Sequence, residues 1–166
     1  LLPGTTFHFN GSYRFDAHGR LLAEGIEGDS IVFTTEILDD NNKWKSIRLL
    51  SGSSGSRMRY CVIENAVDCQ TASGIECYQT TVNFAHCYIR NNVPYGSYCY
   101  PQAEGLYVHA STITIDSCVI SGNRQIQAYA TVITMRSATN AVITNSLLGD
   151  NSNFDSTYLQ MSNCTS

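Results

Sequence analysis

The sequence predicts an all-β chain wound as a right-handed parallel β-helix, a β-solenoid of about six coils that takes residues 1–166 as a single domain or as a segment of a longer chain. Three observations predict it. First, one stretch is written four times: MRYCVIEN at Met58–Asn65 returns as FAHCYIRNN at Phe84–Asn92, ITIDSCVISGN at Ile113–Asn123 and VITNSLLGDN at Val142–Asn151. Registered on Cys61, Cys87, Cys118 and Ser146, the copies lie 26, 31 and 28 residues apart, a period that marks stacked repeat units. Second, another register advances with the first: Ile75, Leu106, Ile133 and Leu159 are spaced 31, 27 and 26, with Ile47 as the preceding member. Third, no segment carries a helical stripe, and the turns are too short for the helix-length crossovers of βαβ units. The coils themselves must then be the crossovers, in the right-handed sense general to parallel connections.

The elements follow in order. In PGTTFHFNGSYRFDAHGRLLAEG, apolar and polar residues alternate around Phe7 and Phe9, Tyr13 and Phe15, and Leu21 and Ala23, which reads as short half-buried strands. Ile31–Phe33 is another strand ending at Leu38, and the loop DDNNK follows. Trp44, Ile47 and Leu49 form the next strand, before a flexible SGSSGS turn at Ser51–Ser56. Each later coil then supplies at least two parallel strands and one variable loop.

Rows of side chains can be assigned from the registers. Met58, Phe84, Ile115 and Ile143 point inward, as do Ile63, Ile89, Ile120 and Leu148, and Ser56, Val82, Ile113 and Ala141. Arg57, Asn83, Thr114 and Val142 point outward, followed by Arg59, Ala85, Asp116 and Thr144. On the second register the outward row is Arg48, Glu76, Tyr107, Thr134 and Gln160. Neighbours in a row lie about 4.8 Å apart, so Arg48 and Glu76 are expected to form an exposed ion pair worth roughly 1 kcal/mol at most.

Composition narrows the function. Net charge is −4 with 10 Lys and Arg together, which lacks the concentrated basic footprint of a nucleic-acid binder. No apolar run approaches the roughly 18 residues of a membrane span. Seven cysteines suggest an oxidising, secreted or cell-surface setting, and no C-x-x-C spacing supports zinc.

These residues carry a resemblance. PGTTFHF, GRLLAEG, IVFTT and KWKSIRL, followed by repeated C-x-I-x-x-N, resemble the secreted bacterial right-handed parallel β-helix repeat proteins of the pectin-lyase-like superfold. The likeness spans nearly the whole chain and implies the fold more than the activity, since that superfold hosts lyases, glycosidases, adhesins and tailspikes. The family's N-terminal capping helix is not evident, and Met161–Ser166 reads like a coil beginning, so either the chain is cut or its ends are meant to meet something.

Candidate sites were weighed against plainer roles. Cys61, Cys87 and Cys118 share one inward register; stacking brings them within disulfide range, but packing as free thiols suits buried cysteine. Cys69 and Cys99 precede Gly74 and Gly105 in loops of adjacent coils and are expected to form a disulfide, worth roughly 3–4 kcal/mol for a loop of about 30 residues. Cys164 has no partner within the chain, and a bond to another subunit stays open. Asn92, Asn123 and Asn151 read as a structural ladder of stacked amides, asparagine also tolerating a left-handed bend. Asp39–Asn42 and Asp150–Asp155 lack the spacing of a calcium loop, and no metal or cofactor is expected.

Catalysis is not signalled. Glycan hydrolysis needs two carboxylates across one cleft, whereas Glu76, Asp116 and Glu104 occur singly, and the four histidines lack ligand spacing; His86 sits at a bend in a structural role. Tyr95, Tyr98 and Tyr100 crowd the longest loop and, with Tyr107, Arg57 and Arg59, are the candidate binding residues, since exposed aromatics stack on sugars or anchor partners. A non-catalytic extracellular scaffold, structural or adhesive, is therefore expected, with itself in head-to-tail stacking or surface glycans as partners. The alternative is a segment of a carbohydrate-active enzyme, a polysaccharide lyase or glycoside hydrolase.

Overall fold

In the later coils the chain leaves each described strand through one residue with a left-handed backbone, and the fold follows from how those bends repeat. A computed structural model describes residues 1–36, 44–68, 72–93, 103–123, 131–138, 140–151 and 157–164. The first coil holds β1 (Thr6–His8), β2 (Phe15–Ala17) and β3 (Leu22–Glu24), and the second β4 (Ile31–Thr34), β5 (Ser46–Leu49) and β6 (Ser56–Arg59). The third holds β7 (Cys61–Glu64), β8 (Gly74–Tyr78) and β9 (Thr81–Ala85), and the fourth β10 (Tyr88–Arg90), β11 (Leu106–His109) and β12 (Thr112–Asp116). The fifth holds β13 (Val119–Ser121), β14 (Thr131–Arg136) and β15 (Asn140–Thr144), with β16 (Leu147–Gly149) and β17 (Thr157–Ser162) beginning another. Among the described residues this makes five complete coils and two further strands.

All strand pairing is parallel and falls in three sheets. The first runs β1-β4-β7-β10-β13-β16, the second β2-β5-β8-β11-β14-β17 and the third β3-β6-β9-β12-β15. Both expected registers hold: Met58, Phe84, Ile115 and Ile143 pair in one row, and Ile47, Ile75, Leu106, Ile133 and Leu159 in another. The correction concerns strand number. The repeated stretch is two strands in different sheets, broken at Tyr60, so each coil has three strands.

The bend itself explains the spacing. Tyr60, His86, Ser117 and Asn145 have φ of 46–53°, as do their counterparts Gln79, Ala110, Ser137 and Asn163 at the second corner (48–52°). Asn65, Asn91, Gly122 and Asp150 do the same at the third, with φ of 53–65°. One left-handed residue shifts the in–out alternation by one position. Met58 is buried, Arg59 and Tyr60 face out, Cys61 is buried again, and a three-residue step replaces the strand's two. For a non-glycine residue this backbone costs roughly 1–2 kcal/mol.

The residue after each of these bends turns inward, and where it is Asn, Ser, Thr or Cys it bonds to its stacked neighbours. At the third corner Asn92 Nδ2 donates to Asn123 Oδ1 (3.0 Å) and to Ile63 O (3.1 Å), and Asn123 Nδ2 donates to Asn151 Oδ1 (3.2 Å) and Ile89 O (2.8 Å). The backbone N–H groups of Ala66, Asn92 and Asn123 donate to the next amide oxygen up the ladder at 2.9–3.1 Å. The asparagine ladder is thus present, but the left-handed residue is the one before each rung. Ser53, Thr80 and Ser111 form a hydroxyl column at the second corner: Ser53 and Thr80 hydroxyls meet at 3.0 Å, and Thr80 N–H donates to Ser111 Oγ at 3.1 Å. The SGSSGS segment is accordingly a built corner rather than a flexible turn, with a 3-10 turn at Ser51–Ser53 and Ser53 and Ser56 fully buried.

Inside, one apolar core runs the length of the stack. Phe7 and Phe33 are parallel at 5.0 Å with Phe15 edge-on to both, and Phe9 lies on Trp44 at 4.6 Å. Trp44 is fully buried and its indole N–H donates to Glu64 O at 2.9 Å, which satisfies the polar group that burial would otherwise strand.

Asn123→Ala should cost roughly 3 kcal/mol in urea unfolding, because it leaves several buried donors and acceptors unpaired. Ser137→Ala, at an exposed bend, should change stability by less than about 0.5 kcal/mol.

Candidate functional site

The corner between the third and first sheets is where the chain departs from its own rule. Later coils turn there on the single residues Tyr60, His86, Ser117 and Asn145, but the first coil uses six, Gly25 to Ser30, between Glu24 and Ile31. Gly25 keeps the register of Tyr60, and a Cβ on it would stand 2.6 Å from Tyr60 O. Ile26 to Asp29 then form a tight turn closed by the Asp29 N–H bond to Ile26 O (3.0 Å), with Gly28 at φ 79°, a backbone that favours glycine.

This insertion stands beside two stacked rings. Tyr60 and His86, one rung apart, lie 4.7 Å between centroids and 7° from parallel. Glu27, Gly28 and Ser30 from the insertion, with Tyr60, His86, Tyr88 and Ser117 from the later coils, line a half-open groove of about 410 Å³. Glycine precedes the ring pair in the corner row and serine follows it, so no third ring continues the stack. The Arg59 guanidinium lies 5.1 Å over Tyr60 and that of Arg90 6.0 Å over Tyr88. At the same corner, Thr144 Oγ1 and Asn145 Nδ2 donate to Asp116 Oδ1 at 2.6 and 2.9 Å. Those bonds, Thr144's first, hold the Asp116 carboxyl below the usual range.

A second polar constellation covers the outer face of the second sheet. Glu76 accepts from Ser46 Oγ (2.6 Å) and Tyr78 Oη (3.0 Å), while Arg14 bonds Asp68 through Nε (3.0 Å) and lies 4.0 Å from Glu76. Burial, only partly offset by the Ser46 bond, raises the Glu76 pKa. The expected Arg48–Glu76 pair is replaced by Arg48 with Asp16, one coil earlier, and the Arg48 Nε bond measures 2.8 Å. The reason is burial: Glu76 is 1% exposed and takes its partners from hydroxyls and Arg14. The carboxylates read as solitary are likewise not all so, because Arg14 brings Asp68 and Glu76 together.

The expected binding residues separate. Arg57 is exposed on the third sheet and pairs with Glu24 at 2.9 Å, and Arg59 lies over the Tyr60 ring without lining the groove itself. Tyr107 faces outward yet is only 5% exposed, packed with Tyr78, Ala72 and Ala103. Tyr95, Tyr98 and Tyr100 lie outside the described residues, as do Cys69 and Cys99. Ala72 and Ala103, just after those cysteines, do form a parallel bridge. Cys61, Cys77, Cys87 and Cys118 are free and buried, and Cys164 is free and half-buried. Thiols of the first corner cap carbonyls as serine does: Cys61 Sγ donates to Ala23 O (3.3 Å) and Cys87 Sγ to Met58 O (3.2 Å), and Cys118 N–H donates to Ser146 Oγ (3.1 Å) in the same ladder. Burial pushes the Cys77 thiol far up, and a hydrogen bond with Cys87, then burial, does so for Cys118.

Among the described residues no group of three or more His, Cys, Asp or Glu could hold a metal ion, and no helix is long and apolar enough to cross a membrane. Neither a family model, nor a curated protein, nor a solved structure matches the chain.

Sequence reading missed Tyr60, Tyr88, Asp68 and Arg14. The usable signal for the first two was the corner lengths, one residue in every coil but the first.

Two outcomes follow. Because the Glu76 pKa is raised, folding holds its proton more tightly than the unfolded chain does. Its contribution is therefore favourable at low pH and declines as pH rises above the ordinary glutamate range, about 4.3. Glu76→Gln should flatten that decline in urea titrations run between acid and neutral pH. Iodoacetamide on the native protein should modify Cys164 well ahead of Cys61, Cys77, Cys87 and Cys118, which should react only on unfolding; peptide mapping of the same sample reports whether Cys69 and Cys99 are joined.

Proposed function

We propose that the chain is a non-catalytic extracellular scaffold, structural or adhesive, which stacks head to tail into filaments. The observation that carries this reading is where its reactive side chains are spent. Asparagines, cysteines and hydroxyls form inter-coil ladders, and Asp16, Glu24, Glu64 and Asp68 are each paired with an arginine. An extracellular place rests on the expected Cys69–Cys99 disulfide, since the other five cysteines are free thiols.

Stacking has its own support. Leu159 and Met161 continue rows that point inward in every earlier coil and are 37% and 52% exposed here, a face that a further coil of the same chain or a second copy would cover. Strands β15, β16 and β17 stand at sheet edges, and an open parallel edge is a template for another strand. A head-to-tail contact of this kind propagates without closing. Sedimentation velocity should show particles that grow with concentration, and Met161→Lys should suppress the growth; monomers at every concentration would contradict the stacking.

A second reading, a carbohydrate-active enzyme, is favoured by one observation: Glu76, with its raised proton affinity, lies with Asp68 and Tyr78 on one sheet face. Release of reducing or unsaturated sugars from a polysaccharide panel would support it, and silence across the panel supports the scaffold.

A further inference from the structure

We infer that the groove beside Tyr60 and His86 binds a neutral hexopyranose residue of a glycan. This deepens the adhesive reading above and rests on it only for the biological setting.

The argument begins with the insertion. In a solenoid, extra residues in one coil project from the stack as a loop, and such loops are a common way of building a binding face. Gly25 to Ser30 is the extra segment of this corner row, and three of its residues line the groove. The groove's volume, about 410 Å³, lies at the small end of ligand sites.

The lining chemistry selects the ligand. The stacked pair offers the outer ring face of His86, with polar groups around the groove: the Glu27 carboxylate, the Ser30 and Ser117 hydroxyls and the open backbone of Gly28. A pyranose has the complementary shape, with an apolar C–H face and hydroxyls around its rim, and carboxylates and hydroxyls are suited to that rim. A purely apolar side chain would leave these polar groups unpaired, at a cost for each. A cation is disfavoured because arginines already lie over Tyr60 and Tyr88. An acidic sugar is disfavoured because Glu27 is the carboxylate of the lining. Arg59 and Arg90 lie over Tyr60 and Tyr88 without lining the groove, and Arg90 is already paired with Glu64.

The corner geometry explains why the site sits here. The stack Gly25–Tyr60–His86–Ser117–Asn145 places rings on the second and third rungs, with the small residues Gly25 and Ser117 on either side of them. A ligand ring can therefore lie against the His86 end of the pair, where the small Ser117 follows, while the Arg59 guanidinium covers the Tyr60 ring. Tyr88, on the next strand and 45% exposed, supplies a further aromatic surface at the groove.

The test uses the 166-residue chain and NMR of its aromatic side chains, titrated with cellobiose, maltose, mannobiose and lactose, each to about 10 mM, which detects millimolar dissociation constants. Digalacturonate and a tryptophan-containing peptide are run in parallel. At least one neutral disaccharide should shift the Tyr60, His86 and Tyr88 ring signals together. Tyr88→Ala and Glu27→Gln should each weaken that binding by about tenfold or more, while Gln79→Ala, at the equivalent bend of another corner, should leave it unchanged. Tyr88 and Glu27 are exposed, so these variants should fold; circular dichroism confirms it. No shift with any neutral sugar would overturn the proposal, as would stronger binding of digalacturonate or of the peptide, or undiminished binding by both groove variants. Turnover of a bound sugar would sink the non-catalytic reading but leave the groove assignment standing, and lack of filaments would bear only on stacking.

Discussion

The structure depends on the bend made by one left-handed residue followed by one small, buried, hydrogen-bonding residue. A stack of parallel strands needs corners tight enough to return the chain one rung higher without helices. Each such corner costs backbone strain of roughly 1–2 kcal/mol where the residue is not glycine. The inward residue offsets it, because Asn, Ser, Thr or Cys at that point bonds to the coils above and below in a water-excluded column. Where the ladder lapses, at Ala66 and Ala138, a small apolar residue fills the position and remains buried. The repeat conserves geometry and volume at the rung, with chemistry free to vary between thiol, hydroxyl and amide.

That logic also decides what was legible in the sequence. The rows led by Met58, Ile63 and Ile75 could be read because inward positions in a solenoid face their own copies, so their period survives every loop. The asparagine ladder was legible for the same reason. The three-strand coil was not read, although its trace was present: three residues separate Met58 from Cys61 and two separate Cys61 from Ile63, and the longer step marks a bend. Outer faces were harder. Glu76 and Tyr107 do point away from the core, but alternation says only which way a side chain points. It says nothing about what covers it, so an exposed Arg48–Glu76 pair was expected where Arg48 in fact bonds Asp16.

The groove was illegible from single motifs because its members come from four coils and only their registration brings them together. Tyr60 and His86 occupy bends, where side chains are forced outward and stack at the rung spacing. The same constraint that organises the core thus arranges a surface: a corner row is a ladder on the outside as well as on the inside. The insertion at Gly25–Ser30 breaks that ladder on one side and gives it a wall. Scaffold and candidate site are therefore consequences of one device.

Hydrogen exchange of individual backbone amides tests this account most directly. If the ladders bind coil to coil, the N–H groups of Asn92 and Asn123, which donate to amide oxygens at 3.1 and 2.9 Å, should exchange as slowly as the strand-centre amides of Ile89 and Ile120. Exchange of Asn92 and Asn123 at the rate of the exposed bends, while the strands stay protected, would contradict it.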